Sequence, residues 1–103
     1  MAKTPLHKAH LALAQEYYNR YQGRIAKGAT TYGDFDASTD TRNMGTECCE
    51  EILDVGSYLE FSEAMRPDLS RFIQKMRAKT ILLYGMAKQL EESMQTPAGE
   101  GGI

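Results

Sequence analysis

The sequence predicts an all-α protein, a three-helix chain that forms a helical bundle completed by oligomerisation. Three segments carry apolar residues at helical spacing, prolines mark the starts of the first and third, and no segment shows a strand pattern. The apolar faces are too wide for three helices to cover one another, so we expect a homodimer or higher homo-oligomer. We predict a single helical domain over residues 1–94 and a flexible, glycine-rich tail over residues 95–103.

The length, charge and apolar runs of the chain exclude several classes of protein. With 103 residues the chain is one small domain, and its formal net charge of -2 argues against direct nucleic-acid binding. No apolar run approaches the roughly 20 residues that span a bilayer, so we expect no membrane partner. The start of the chain, Met1 to Pro5, lacks the apolar region of a signal peptide, so we expect a cytoplasmic location.

The first helix is predicted to begin with Thr4 as N-cap and Pro5 at the first helical position. It runs to about Lys27, where Gly28 is the expected C-cap. Its main apolar stripe, which we expect to be packed, contains Leu6, His10, Leu13, Tyr17 and Tyr21.

A long loop is predicted over residues 28–41, since Gly, Asp, Ser and Thr dominate and no period is present. Long loops in small domains are often functional. We expect Tyr32 and Phe35 to anchor the loop to the body of the protein. Asp34 and Asp36 are interpreted as turn-forming residues, with a role as additional metal ligands as the alternative.

The second helix is predicted from about Thr41 to Met65, with Asp40 or Thr41 as N-cap, and it ends before Pro67. Its cysteines, Cys48 and Cys49, are adjacent and point about 100° apart on a helix, which does not suit a disulfide. The buried stripe is expected to contain Cys48, Ile52, Val55 and Leu59.

The third helix is predicted from Pro67 to about Glu92. Gly85 lies in the middle of this helix, where glycine lowers helix stability by roughly 1 kcal/mol relative to alanine. We interpret the presence of glycine at such a position as a sign of close packing there. Basic residues are concentrated here, and we interpret them as solvated or as facing the acidic helix or a triphosphate. The expected apolar stripe contains Leu69, Phe72, Met76, Leu83, Ala87 and Leu90. The basic residues are Arg71, Lys75, Arg77, Lys79 and Lys88.

Four carboxylates in the second helix, at relative positions 0, 3, 4 and 7, carry the main functional signal. They are Glu47, Glu50, Glu51 and Asp54, here called the acidic face. They fall within roughly 100° of arc, and like charges at this spacing destabilise a helix. Mg²⁺ binds carboxylate oxygens and keeps positions for water and phosphate, so the spacing predicts a Mg²⁺ site, with a solvated surface as the alternative. The same face continues to Tyr58, Phe61 and Met65, which indicates that it runs into a groove.

The run Glu47-x-x-Glu50-Glu51-x-x-Asp54-x-x-x-Tyr58-Leu59 resembles the metal-binding helix of the MazG-like, all-α nucleoside triphosphate pyrophosphohydrolases, a family with short members in phages and bacteria. The preceding Arg42-Asn43 and the upstream Tyr32-Gly33-Asp34 are similar to the corresponding segments of such proteins. The resemblance covers roughly residues 20–65. Family members carry a Glu-x-x-Glu pair on one helix and a Glu-x-x-Asp pair on the next, whereas here both pairs lie on a single helix.

The resemblance implies Mg²⁺-dependent cleavage of an NTP or dNTP to the nucleoside monophosphate and pyrophosphate. In that reaction Glu50 or Glu51 activates the attacking water, and all four carboxylates of the acidic face hold Mg²⁺. Residues expected to contact the nucleotide are Lys27, Arg42, Asn43 and Tyr58.

Two other functions stay open from the sequence. The chain can be a non-catalytic helical oligomer that sequesters a nucleotide-like ligand, or a protein–protein interaction module that uses the acidic face as its contact surface. The first alternative predicts that a bound ligand is recovered intact. The second predicts neither turnover nor nucleotide binding.

Overall fold

The computed structural model of the protein describes residues 5–97. It contains three α-helices, α1 (Pro5–Tyr32), α2 (Met44–Met65) and α3 (Ser70–Gln95), and a single turn of 3-10 helix, Pro67–Leu69, between the last two. Within this described range there is no strand. The predicted all-α class with three helices is therefore confirmed.

The chain divides into two compact units, residues 1–40 and residues 41–103. The first holds α1 and the second holds α2 and α3. None of the helices in the described part of the chain is both long and apolar enough to cross a lipid bilayer. The predicted N-cap Thr4 and most of the predicted tail lie outside the described residues.

Helix α1 continues five residues beyond its predicted end at Lys27, so Gly28 is not its C-cap. The hydroxyl groups of Thr30 and Thr31 donate hydrogen bonds to the Lys27 carbonyl, at 2.7 and 3.4 Å, and both threonines are helical. The helix ends instead at Gly33, whose φ of 87° is accessible to glycine at little cost. The Gly33 N–H donates to the carbonyl of Ala29 at 2.9 Å, which completes the cap.

The first unit buries little of its apolar surface. Tyr21 is half-buried, because the rings of Tyr17 and Tyr18 pack against it with centroid separations of 5.4 and 5.2 Å. The other residues of the predicted first stripe, from Leu6 to Tyr17, are exposed within this chain. Among the described residues, the expected packing of that stripe is therefore not formed.

The link between α1 and α2 contains a tight turn at Asp36. Its carboxylate accepts hydrogen bonds from the N–H and the hydroxyl of Ser38, at 2.9 and 2.6 Å. These bonds hold the pKa of Asp36 below its usual value, and the turn-forming interpretation of this residue is confirmed. Tyr32 and Phe35 are both exposed, so the prediction that they anchor the loop is wrong.

Helix α2 begins three residues later than predicted because Asn43, and neither Asp40 nor Thr41, is its N-cap. The Asn43 side-chain oxygen accepts hydrogen bonds from the N–H groups of Gly45 and Thr46, at 2.9 and 3.2 Å. Two of the amides that a helix start leaves unsatisfied are paired in this way.

The turn between α2 and α3 lies at the predicted proline. Helix α2 ends at Met65, as predicted, and the Arg66 N–H donates to the carbonyl of Ser62 at 2.8 Å. Pro67 opens the 3-10 turn, so the α-helical part of α3 begins at Ser70. Helix α3 ends at Gln95, three residues beyond the predicted end.

Helices α2 and α3 pack side by side as an antiparallel hairpin, because Asn43 contacts Glu91 at one end and Glu63 contacts Ser70 at the other. The contacting residues, here called the seam, are buried or half-buried and recur at alternating intervals of three and four, as in a coiled coil. In α2 they are Gly45, Cys49, Ile52, Gly56, Leu59 and Glu63. In α3 they are Ser70, Ile73, Arg77, Thr80, Tyr84, Ala87 and Glu91.

The seam corrects the predicted buried stripe of α2. Ile52 and Leu59 face α3 as expected, but Cys48 is exposed, Val55 is 37% exposed, and Cys49 is buried. Helix α2 is rotated about its own axis relative to the prediction, because α3 contacts the side of α2 that carries Gly45. That glycine allows an approach that a side chain would block.

The packing prediction for α3 also needs correction. Gly85 has open space around it, since a Cβ there would meet no atom within 4 Å, and we find no packing reason for this glycine. Ile73 and Ala87 are buried against α2, whereas Phe72 and Leu83 of the predicted stripe are exposed. Most of the apolar face predicted for α3 therefore lies beside the seam and uncovered.

Candidate functional site

The acidic face lies on the side of α2 that points away from α3. Each residue of a helix advances about 100° around the helix axis. Viewed down the axis of α2, Asp54 therefore lies roughly 180° from Gly45, which points directly into the seam. Glu47 is half-buried, and Glu50, Glu51 and Asp54 are exposed. The hairpin therefore presents all four carboxylates on one outward surface, as the spacing predicts.

The carboxylates of the acidic face have no polar partner within the described residues. None of the four forms a hydrogen bond or an ion pair there, unlike Glu63 and Glu91 of the same hairpin. Across residues 5–97, no three carboxylate, imidazole or thiol groups converge closely enough to hold a metal ion. Members of the face three or four residues apart are neighbours on the helix surface, so at most pairs of them could bind one ion, and Mg²⁺ is usually bound by one or two carboxylates together with water and phosphate.

A polar cluster around Glu91 fixes the start of α2, just before the acidic face. The Glu91 carboxylate accepts hydrogen bonds from the Thr46 hydroxyl at 2.8 Å and from Lys88 Nζ at 3.2 Å. The Asn43 amide donates to the Glu91 carbonyl at 3.0 Å. The Thr46 bond, followed by the Lys88 bond, lowers the pKa of Glu91, so this carboxylate is held in its charged form.

A second cluster, around Glu63, closes the hairpin at its turn. The Glu63 carboxylate accepts hydrogen bonds from Ser70 at 2.7 Å and Gln74 at 3.0 Å, and it lies 3.7 Å from the Arg77 guanidinium. The Ser70 bond is the main reason that the pKa of Glu63 is lowered. Neither cluster is predictable from local sequence patterns, because each joins a residue of α2 to residues of α3.

The residues predicted to contact a nucleotide are distributed over both units. Tyr58 follows Asp54 by about one turn on the same face and is exposed. Asn43 serves as the N-cap of α2, and Arg42 beside it is exposed. Lys27 lies on α1, where it lines a shallow depression of about 420 Å³ with Arg24, Gly28, Thr31 and Tyr32.

Comparison with protein-family models, with curated proteins and with solved structures found no match. The resemblance to the MazG-like pyrophosphohydrolases therefore rests on the acidic face, Tyr58 and the flanking sequence alone. The activity that it implies stays a prediction.

Within residues 5–97, the groove expected beyond the acidic face is not formed. Tyr58, Phe61 and Met65 are 66%, 59% and 80% exposed, so no described residue covers this continuation of the face. An apolar groove of about 270 Å³ exists elsewhere, between α2 and α3, where Gly56 leaves room beside the seam. No residue of the acidic face lines it. Its lining residues are Ile52, Leu53, Gly56, Leu59, Arg77, Thr80, Ile81 and Tyr84.

Proposed function

We propose that the chain is a cytoplasmic, Mg²⁺-dependent pyrophosphohydrolase that cleaves an NTP or dNTP to the nucleoside monophosphate and pyrophosphate. One observation carries this proposal: the four carboxylates of the acidic face share an exposed surface and have no partner within the described residues. Like charges at these intervals destabilise the helix, and a bound divalent cation removes that repulsion. Carboxylate oxygens are the ligands that Mg²⁺ prefers.

The chain's own residues supply the remaining parts of the reaction. Mg²⁺, when bound, neutralises charge on the phosphate oxygens. Glu50 or Glu51 would accept a proton from a water that attacks phosphorus at the α–β bridge, so that the bridging P–O bond breaks and pyrophosphate leaves, while the neighbouring carboxylates would hold the metal. Tyr58 offers an exposed ring to the base, one turn away from Asp54. Arg42 and Asn43, which belong to the same unit as the acidic face, are the proposed contacts to phosphate or base, and the role of Lys27 on α1 stays a prediction from the sequence.

Pyrophosphate release from a panel of NTPs and dNTPs, with and without Mg²⁺, tests the proposal directly. We expect Mg²⁺-dependent turnover by the wild type and a loss of about 100-fold or more in Glu51→Gln and Asp54→Asn. Glu60→Gln is the matched control, since Glu60 is exposed on the same helix roughly 130° from the centre of the acidic face. Absence of turnover by correctly folded wild type would overturn the enzymatic function.

Metal binding can also be measured without turnover, from the melting temperature of the protein. Removing one charge from the acidic face should stabilise the metal-free protein by about 0.2–0.5 kcal/mol, so Glu51→Gln should melt slightly higher than the wild type. Added Mg²⁺ should raise the melting temperature of the wild type and raise that of Glu51→Gln much less. Equal responses of the two proteins would show that the metal does not bind at this face.

The exposed apolar continuation at Tyr58, Phe61 and Met65 favours a second candidate, a helical assembly module that binds or sequesters a ligand without hydrolysing it. Equilibrium dialysis with radiolabelled dNTPs separates the two functions. Recovery of intact nucleotide from the protein would support sequestration. Absence of both binding and turnover would support a protein–protein interaction module.

A further inference from the structure

The charged residues of the hairpin fall into two groups according to position. Those at the seam are paired across or along the helices, as Glu63 is with Arg77 and Glu91 with Lys88. On the exposed surfaces, the side chains of Glu60, of Glu92 and of two larger sets have no hydrogen bond or ion pair within the described residues. One set is the acidic face of α2, and the other, on α3, consists of Arg71, Lys75 and Lys79.

The basic residues of α3 form a row that points away from α2. Their spacing of four places them on one side of the helix, roughly opposite the seam. The same side continues towards the C-terminus with Leu82 and Met86, which are 70% and 64% exposed. The outer face of α3 therefore runs from basic to apolar in the direction of the chain.

The outer face of α2 has the same order with the opposite charge. Its first half is the acidic face, and its second half is Tyr58, Phe61 and Met65. Along this face residues recur at alternating intervals of four and three, from Glu47 through Asp54 to Met65, which is the spacing of a coiled-coil contact. Within one hairpin, the two outer faces lie on opposite sides and do not meet.

We propose that a second copy of this chain docks the outer face of its α3 on the outer face of α2, with the two helices parallel. A shift of about 24 residues aligns Glu47 with Arg71, Glu51 with Lys75 and Asp54 with Lys79. The same alignment brings Tyr58 to Leu82 and Phe61 to Met86. An antiparallel alignment would set the charged half of each face against the apolar half of the other, leaving charges without partners in a buried surface.

This docking joins two different surfaces, so it is head-to-tail. Each copy keeps one unused outer face after binding a neighbour, and association continues until a ring closes or a chain forms. The docking goes beyond the proposed hydrolysis, because it requires neither metal nor nucleotide. Docking pairs three of the four carboxylates and covers Tyr58, so it uses the face that is proposed above for Mg²⁺ and nucleotide, and the two modes of binding exclude each other at that face.

Sedimentation velocity without nucleotide or Mg²⁺ tests the docking with two variants. Glu51→Gln combined with Phe61→Gln removes the α2 face, and Lys75→Gln combined with Met86→Gln removes the α3 face. We expect the wild type to form assemblies larger than a dimer as concentration rises, and each variant alone to be monomeric. An equimolar mixture should form 1:1 heterodimers and nothing larger, because each variant retains one intact face.

Glu60→Gln is the control and should assemble as the wild type does, and far-UV circular dichroism should show equal helix content in all the proteins. A monomeric wild type would overturn the docking, as would a mixture of the two variants that stays monomeric. Self-association of the α3-face variant at wild-type levels would also overturn it, since the α2 face would then bind some other segment, such as α1. Loss of hydrolysis in these variants has no bearing on the result.

Discussion

Gly45 in the first turn of α2 packs directly on the backbone of Glu91 near the end of α3. A Cβ on residue 45 would overlap the N and Cα atoms of Glu91 and would lie 2.9 Å from the carbonyl carbon of Leu90. Only glycine allows this approach, and the approach places Asn43 and Thr46 within hydrogen-bonding distance of Glu91. The open end of the hairpin, from which the acidic face begins, is therefore set by a backbone contact.

The contact predicts that Gly45→Ala destabilises the hairpin. The added methyl group meets backbone atoms that cannot rotate away, so we expect a loss of about 1–3 kcal/mol in the free energy of unfolding, as for overpacked sites. Urea denaturation followed by circular dichroism measures it. The helix preference of alanine acts in the opposite direction and reduces the loss by less than about 1 kcal/mol.

Gly85→Ala is the matched substitution on α3, where the same methyl group enters open space. We expect it to stabilise the protein by about 0.5–1 kcal/mol, because alanine restricts the unfolded chain and favours helix. Opposite signs for the two glycines would confirm that the close contact is at Gly45. Equal and favourable effects of both substitutions would contradict the packing.

Substitutions of Asn43 should lower the stability of the hairpin, because its side chain both caps α2 and connects α2 to α3. Asn43→Ala removes the cap and the bond to the Glu91 carbonyl, so we expect a loss of about 1–2 kcal/mol in urea denaturation. Asn43→Asp keeps an oxygen for the cap and loses the donor to Glu91. An aspartate variant as stable as the wild type would show that the connection between the helices contributes nothing.

The fold class and the end of α2 follow from the sequence because they depend on local signals. Helical periodicity identifies the three segments, and Pro67 stops α2 at the residue predicted. The acidic face is equally local, since the spacing of its carboxylates is enough to align them. The extension of α1 to Tyr32 was missed because a glycine signals a helix end only where its backbone adopts a left-handed conformation, as Gly33 does and Gly28 does not.

The orientation of α2 was not predictable from periodicity alone. Cys48 and Cys49 are adjacent small residues, and an apolar stripe drawn through either one fits the helix period. The choice is made by α3, which packs on the side that carries Gly45 and so buries Cys49. Likewise, the cluster at Glu91 joins residues more than 40 positions apart, and no local pattern marks it.

The pKa of Glu91 predicts how hairpin stability depends on pH. Its hydrogen bonds to Thr46 and Lys88 hold the folded-state pKa below the ordinary value of 4.5. The unfolded chain therefore binds a proton more readily, and the stabilisation is complete above pH 4.5 and is lost as pH falls through the folded-state pKa. Glu63, whose pKa is also lowered, contributes in the same direction.

Thermal unfolding measured between neutral pH and pH 3 checks this dependence. We expect Glu91→Gln to be less stable than the wild type at neutral pH, with the difference shrinking as the solution becomes acidic. Glu60→Gln, which changes an exposed carboxylate that forms no hydrogen bond or ion pair within residues 5–97, should keep the wild-type profile. A constant difference between Glu91→Gln and the wild type at every pH would count against the charged form of Glu91 as the stabilising species.

The labelling rates of the two cysteines show which side of α2 faces α3. Cys48 is exposed, whereas Cys49 is buried in the seam, and burial, with the nearby charge of Glu91 second, raises the pKa of the Cys49 thiol. Because the thiolate is the reactive form, a water-soluble thiol reagent should label one cysteine rapidly in the folded protein and the second only on unfolding. Cys48→Ala should abolish the rapid phase, and Cys49→Ala should leave it unchanged. Rapid labelling of Cys49 with protection of Cys48 would mean that α2 is turned as the sequence alone predicts, with Val55 in the seam.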